Sequence, residues 1–214
     1  MLRLYDNRLS GNGYKPRLAL AHLGRVYERV EVDILRGETR TPAFLARNPN
    51  GRIPVLELED GTCIAESNAI LFYLADGSRL LPPDPLARAL TLQWLFFEQY
   101  SHEPFIAVAR HWMQHMEMTA DQRAQLPAKQ EGGRAALAVM ETHLGRSGWF
   151  GGDAMTIADI ALYAYTHVAD EGGFGLADYP AVRAWLARVA DQPGHVPMEP
   201  APEGVVDPAD RRRR

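Results

Sequence analysis

Asn48–Ala75 reads NPNGRIPVLELEDGTCIAESNAILFYLA, and the rest of the chain is organised around it. Asn48-Pro49-Asn50-Gly51 is a turn signal: Pro49 fixes its own φ, and Gly51 is free to take φ > 0. Ile53 to Leu58 is apolar and rich in strand formers, Glu59-Asp60-Gly61 is a hairpin turn, and Thr62 to Ala65 is the return strand. Glu66-Ser67-Asn68 opens an apolar helix for which Ser67 is the expected N-cap. A hairpin therefore delivers the chain to the start of a helix.

Two features of this stretch suggest a ligand. Pro54 stands at the beginning of a strand, where the loss of a ladder donor is tolerated. A cis Ile53–Pro54 bond is compatible with that position and would turn the Ile53 backbone N–H and C=O outward; only about 5–6% of X–Pro bonds are cis, so the residues alone do not decide it. Glu66-Ser67 sets a carboxylate beside a hydroxyl and a helix N-terminus. The helix start suits a carboxylate group and Glu66 suits an ammonium, which together match an α-amino acid head group. Taken singly, Ser67 is an ordinary cap.

The 214 residues supply one large domain or two small ones, and 46% hydrophobic with 23% charged residues is average for a globular protein. Arg3, Asp6 and Arg8 break any apolar run at the start, so no signal peptide is expected, and no stretch approaches the roughly 18 apolar residues of a membrane span. The single cysteine, Cys63, excludes an intramolecular disulfide and fits a reducing cytoplasm. A net charge of −4 argues against generic nucleic-acid binding. Positive charge gathers only in Arg211 to Arg214, and residues 201–214 read as a disordered tail rather than a basic patch.

Leu2 to Tyr5 alternates as a strand, Asp6 to Gly13 is a polar loop, and Lys15 to Leu23 has helical spacing with Gly24 as its stop. Tyr27 to Val32 is a second strand, and Pro42 to Arg47 a short helix with proline in its first turn. With the hairpin and its helix the order is βαβ-α-ββ-α. The βαβ unit requires a parallel pair and the hairpin an antiparallel one, so a mixed four-stranded sheet is expected. The thioredoxin-like fold has this order, here over residues 1–77.

Ser78 to Pro85, SRLLPPDP, reads as a linker, and residues 86–200 show helical signals only, as expected of an all-helical bundle domain. Leu86 to Met116 is one helical region that Pro104 must interrupt. Asp121 to Leu144 is a second helix with Gly132-Gly133 as a weak point, and Ala181 to Asp191 is the last. Between them Thr156-Ile157-Ala158-Asp159 is a capping box with Asp in place of Glu. His111 and His115 stand at the i, i+4 spacing of a metal pair, but no third ligand is evident and no metal is expected. Cys63, Trp94 and Trp112 read as packing residues.

The stretch NPNGRIPVLELEDGTCIAESNAI, followed by YL, strongly resembles the glutathione site of the glutathione transferases, and the resemblance extends over nearly the whole chain, including the T-x-x-D box preceded by Met155. It implies that Pro54 is cis, that the Ile53 backbone pairs with the cysteinyl part of glutathione, and that Glu66 and Ser67 hold its γ-glutamyl end. The run LSGNGYKPRLAL, residues 9–20, is similar to the S-x-x-x-[WY]-[KR]-x-R-[LI]-A-L pattern of serine-type (theta- and zeta-like) transferases, which implies an enzyme of bacterial serine type. Ser10 falls on their catalytic serine. Asn12 falls where beta-type enzymes carry a cysteine, and Tyr5 lies near the residue used by tyrosine-type enzymes. Arg52 occupies a lysine position near the glycyl carboxylate; Thr39 stands where a histidine is usual, a departure from the pattern.

Glutathione transfer requires a thiolate, and lowering a thiol pKa by two units takes roughly 2.7 kcal/mol. A hydroxyl donor at a helix N-terminus supplies that order of magnitude. By the same resemblance the second, largely apolar electrophile is lined by residues among Tyr100, His102, Glu103, Phe105, Ile106 and Arg110; His102 or Glu103 reaches glutathione in a partner subunit; and the protein is a homodimer. The reading is thus a cytoplasmic glutathione S-transferase acting in detoxification, with isomerisation, dehalogenation and peroxide reduction open on the same scaffold. The alternative is a non-catalytic binding or regulatory protein of this fold. Thioredoxin-type exchange fits poorly, because no C-x-x-C is present.

Overall fold

The computed structural model describes residues 1–198. The chain divides into two compact units, one of residues 1–81 with the segment from Pro193, the other of residues 82–192. Among the described residues the first unit contains β1 (Leu2–Asp6), α1 (Gly11–His22), β2 (Tyr27–Glu31), a 3-10 turn (Glu38–Arg40), α2 (Pro42–Leu45), β3 (Val55–Glu57), β4 (Cys63–Ala65) and α3 (Ser67–Ala75). Its sheet runs β2-β1-β3-β4, with β1 parallel to β2 and antiparallel to β3, and β3 antiparallel to β4. This is the mixed four-stranded sheet expected of a thioredoxin-like domain. Leu4 lies opposite Leu56 in the register, and both are fully buried with Val55, Leu18, Leu20, Ile70 and Leu71. Burial of this apolar surface is the main stabilising term of the unit.

A buried ion pair lies at the end of β1. Arg17 Nε is 2.9 Å from Asp6 Oδ2, and both side chains are almost fully enclosed. Asn7 N donates to Asp6 Oδ1 at 2.6 Å and Arg17 Nη2 donates to the Arg8 carbonyl at 2.9 Å. Burial pushes the Asp6 carboxyl up to about 7, against the opposing pull of Arg17.

The helical unit comprises α4 (Pro85–Phe97), α5 (Glu103–Gln114), α6 (Ala120–Leu144), α7 (Ile157–Thr166), a 3-10 turn (Ala169–Gly172) and α8 (Pro180–Ala190). The break expected at Pro104 is a π-helical turn over Glu98–His102, directly before α5, which has the proline in its first turn. Proline has no N–H to return to residue 100, and the wider turn absorbs the mismatch. The capping box of α7 is present: Asp159 accepts from Thr156 N at 2.8 Å. The same carboxylate accepts from Phe150 N at 3.1 Å and Trp185 Nε1 at 3.0 Å, so it also ties α8 and the preceding loop to α7. Burial raises its pKa to about 6.

Several local expectations are corrected. α6 begins at Ala120 behind Thr119, which forms a capping box with Gln122, and it runs unbroken through Gly132-Gly133. Those glycines are sites of close approach: a Cβ would lie 2.3 Å from a Phe105 ring carbon at Gly132 and 2.3 Å from a Phe174 ring carbon at Gly133. In the stretch read as a linker, Leu80 and Leu81 are buried and Asp84 Oδ1 caps α4 by accepting from Ala87 N at 2.8 Å. The segment beginning at Pro193, expected to belong to the helical domain, returns to the first unit. There Tyr14 donates its hydroxyl to the Val196 carbonyl at 2.6 Å, and His22 Nδ1 lies 3.0 Å from the Pro193 carbonyl. The tail expected at 201–214 lies outside the described residues.

Candidate functional site

Ser10 is the N-cap of α1, in extended conformation (φ −79°, ψ 121°), and its Oγ accepts from Gly13 N at 3.2 Å. Asn12 follows in the first turn. At α3 the N-cap position is Glu66, not Ser67, and the Glu66 side chain makes no capping hydrogen bond: Glu66 adopts φ 65°, ψ 115°, and Ser67 is the first helical residue. Among the described residues Glu66 is the only non-glycine residue with positive φ. Such a conformation costs of order 1–3 kcal/mol, persists only where the surroundings impose it, and concentrates at ligand sites. It leaves the Glu66 carboxylate exposed at the mouth of the helix while Ser67 turns inward and is buried.

Ser67 joins the two helix starts. Its Oγ donates to Asn12 Oδ1 at 3.2 Å and lies 3.4 Å from Lys15 Nζ. The first turns of α1 and α3 are therefore in contact through these side chains, which brings two helix N-termini, each the positive end of its dipole, close together. The Ile53–Pro54 bond is cis. Val55 is opposite Ala65 in the β3–β4 register, so Pro54 stands opposite Glu66 at the same end of the hairpin. Ser10, Asn12, Lys15, Pro54, Glu66 and Ser67 thus share one corner of the first unit.

The turn before Pro54 is built by a residue the sequence reading did not single out. Asn48 is buried; its Nδ2 donates to the Arg52 carbonyl at 2.7 Å and its Oδ1 accepts from Asn50 N at 3.0 Å. Gly51 is required there, because at φ 61° its Cβ would stand 2.4 Å from Arg40 Nη1 and 3.0 Å from the Thr39 carbonyl. This places Thr39, itself buried, beside the turn that presents exposed Arg52.

Tyr5 is engaged elsewhere: its hydroxyl donates to Glu57 Oε2 at 2.8 Å and the Arg47 guanidinium covers its ring at 4.7 Å. Cys63 is half-buried on β4, and burial raises its thiol pKa.

The six residues expected around the second substrate divide into two groups. Tyr100 is 85% exposed, Glu103 Oε2 accepts from Gln99 Nε2 at 2.7 Å, and Phe105 is half-buried with Lys129 Nζ 5.4 Å from its ring centre. His102, Ile106 and Arg110 are instead buried in the helical unit. His102 Nε2 lies 2.9 Å from Thr166 Oγ1, and Arg110 Nε donates to Glu171 Oε2 at 2.6 Å. The His111 and His115 rings are 5.8 Å apart, and among the described residues no cluster of three metal-ligating side chains occurs. Nor, among them, is any helix long and apolar enough to cross a membrane.

Comparison with known proteins agrees with this architecture. Residues 1–76 match the model of the glutathione S-transferase N-terminal domain and residues 123–188 that of the glutathione S-transferase C-terminal domain. A crystal structure of glutathione S-transferase from Pseudomonas fluorescens is 55% identical, covering 93% of this chain and 99% of that one, with a TM-score of 0.91. Maleylacetoacetate isomerase of Pseudomonas aeruginosa is 31% identical over 89% of this chain and 90% of its own length. Ure2p in complex with glutathione superposes with a TM-score of 0.82 at 27% identity, covering 90% of each chain. The chain belongs to the glutathione S-transferase family.

Proposed function

We propose that the corner formed by the starts of α1 and α3 binds glutathione and holds its sulfur as a thiolate, which attacks an electrophilic carbon of a largely apolar second substrate. The observation that carries this reading is the Ser67–Asn12 hydrogen bond, which brings the two helix N-termini together at the same end of the hairpin as Pro54 and Glu66. In this arrangement the γ-glutamyl carboxylate faces Ser67 and the α3 dipole, and its ammonium pairs with Glu66. The Ile53 backbone pairs with the cysteinyl amide, and Arg52, beside Thr39, meets the glycyl carboxylate.

The thiolate then lies at the start of α1. Because Ser10 Oγ accepts from Gly13 N, its own hydrogen is directed away from that donor and is available to the sulfur. Asn12, in the same first turn of α1, is the second candidate for the donor. Each donor and the helix dipole stabilises the thiolate over the thiol, and together they are of the order the pKa shift demands. The sulfur forms a bond to carbon with its lone pair, and the leaving group departs with the electrons of the bond that breaks.

Dimerisation, a cytoplasmic location and a role in detoxification complete the reading, on the strength of the family and of the single cysteine. The non-catalytic alternative is disfavoured by the polar set itself, since a surface that only docks a partner has no need of a strained Glu66.

Calorimetry with glutathione, with the bound thiol followed by its ultraviolet thiolate absorbance in the wild type, Ser10→Ala and Asn12→Ala, tests the proposal. A bound-thiol pKa well below the usual thiol value, raised by about one unit or more in either variant, is the expected result. No binding at about millimolar glutathione, a Kd worth only about −4 kcal/mol, would sink it.

A further inference from the structure

Arg17 and Asp6 form an ion pair enclosed behind the start of α1, and the proposed reaction makes no use of it. Arg17 Nε is 2.9 Å from Asp6 Oδ2, with 5% of the arginine side chain and none of the aspartate side chain exposed. A second nitrogen of the same guanidinium, Nη2, donates to the Arg8 carbonyl at 2.9 Å. Arg8 lies in the loop of residues 7–9, which joins β1 to Ser10. Bonds within the loop set its shape: Asn7 N donates to Asp6 Oδ1 at 2.6 Å, Leu9 N to Asn7 Oδ1 at 3.1 Å, and Ser10 N to the Asn7 carbonyl at 2.9 Å. Asn7 Nδ2 ties it to Val32, directly after β2, by donating to that carbonyl at 3.2 Å. Its tie to α1 comes from Arg17, in the second turn of that helix. The bond from Gly13 N to Ser10 Oγ, which depends on where this loop delivers Ser10, is 3.2 Å long. That is the far end of the ordinary range, so a small displacement of the loop breaks it.

We propose that Arg17 is a positioning residue of the glutathione site: by bridging the Asp6 carboxylate and the Arg8 carbonyl it holds the loop before Ser10 against α1, and so sets where the Ser10 hydroxyl stands. The inference rests on the reading that Ser10 holds the glutathione sulfur. Arginine suits the task because its planar fork offers several donors in fixed directions, whereas an ammonium is a single point of charge. Arg17→Lys therefore keeps a cation for the buried Asp6 carboxylate and gives up the Arg8 carbonyl. That substitution separates the clamp from the ion pair.

Two measurements test it in the wild type, Arg17→Lys, Ser10→Ala and the Ser10→Ala/Arg17→Lys double variant. Amide hydrogen exchange without glutathione reads the loop. Arg17→Lys is expected to speed exchange at Ser10 and Gly13 by about tenfold and to leave Leu18, Ala19 and Leu20, further along α1, unchanged. Ultraviolet titration of the bound thiol at saturating glutathione reads the consequence. There Arg17→Lys is expected to raise the thiol pKa by about one unit, a roughly tenfold smaller thiolate fraction near neutrality. kcat should fall with it and KM for glutathione change much less. In the Ser10→Ala background the same substitution is expected to add nothing to the pKa. An arginine that only supports the fold would speed exchange along the whole of α1 alike and leave the pKa of the folded remainder unmoved. Unchanged exchange at Ser10 and Gly13 overturns the clamp, and an unmoved thiol pKa overturns its part in the site. A pKa shift that persists undiminished without Ser10 overturns the inference too, because the charge would then act directly. If Arg17→Lys does not fold, Asp6→Asn/Arg17→Met, which strands no buried charge, decides by the same two readings. Failure of the wild type to bind glutathione removes the parent reading before any variant is compared, and the inference with it.

Discussion

Gly13 and Asp6 are in contact so close that a Cβ on Gly13 would stand 1.4 Å from Asp6 Oδ1. Asp6 is not free to withdraw, since its carboxylate is held by Arg17 Nε at 2.9 Å and by Asn7 N at 2.6 Å. The close approach brings the first turn of α1, with Ser10 and Asn12, against the end of β1. Gly13→Ala is therefore expected to destabilise the protein by at least about 3 kcal/mol, beyond the usual cost of overpacking, because displacing Asp6 also strands a buried guanidinium. Urea unfolding measures it. A loss under about 1 kcal/mol would mean that Asp6 moves aside without breaking its pair.

His22 makes the packing of the Pro193 segment sensitive to acid. Burial lowers its pKa from 6.5, aided by the nearby positive charge of Arg79 and by His195. Nδ1 serves the Pro193 carbonyl at 3.0 Å, while buried Nε2 has no hydrogen-bond partner among the described residues, so a second proton would be enclosed without an acceptor. For a histidine depressed in the folded state, the unfolded chain binds more protons between the folded value and 6.5. Its contribution to stability is complete above that window and is lost as pH falls through it. Asp6, raised by burial to about 7, acts in the opposite sense, so the informative quantity is a difference between proteins. The stability of the wild type relative to His22→Gln, which retains a donor for Pro193, should decline from about pH 8 to about pH 5. A difference independent of pH would show that His22 does not titrate in this range.

Gly132 and Gly133 should respond unequally to alanine. Each substitution gains about 0.5–1 kcal/mol of helix propensity. At Gly133 the new methyl meets the Phe174 ring at 2.3 Å, and Phe174 is almost fully buried, so it has nowhere to go. At Gly132 the obstacle is Phe105, which is half-buried and has room to shift. Gly133→Ala is expected to destabilise the helical unit by about 1–3 kcal/mol and Gly132→Ala by distinctly less. Equal thermal shifts for the two variants would refute the packing argument.

What was legible in the sequence is what a few consecutive residues encode. The turn at Asn48–Gly51, the hairpin, the Thr156–Asp159 box and the interruption at Pro104 each follow from backbone chemistry within one or two turns of chain, and each is present. Ser10, Asn12, Pro54, Glu66 and Ser67, the residues of the proposed site, stand in such local signals, and the register sets Pro54 opposite Glu66. The displacement of the α3 cap from Ser67 to Glu66 was not, since it depends on a positive φ that nothing in an ordinary glutamate announces.

The sequence by itself thus determined the order of elements, the mixed sheet and the element starts at which the proposed ligand corner lies. Only the tertiary structure decided how that corner is wired. Lys15 and Asn12 are 52 and 55 residues from Ser67, and Tyr14 is 182 from the carbonyl it meets. It also decided that His102, Ile106 and Arg110 face the interior of the helical unit. The physical reason is one of range: turns and caps are satisfied by neighbouring backbone groups, whereas a buried ammonium, hydroxyl or guanidinium takes whatever partner the packed fold brings within about 3 Å.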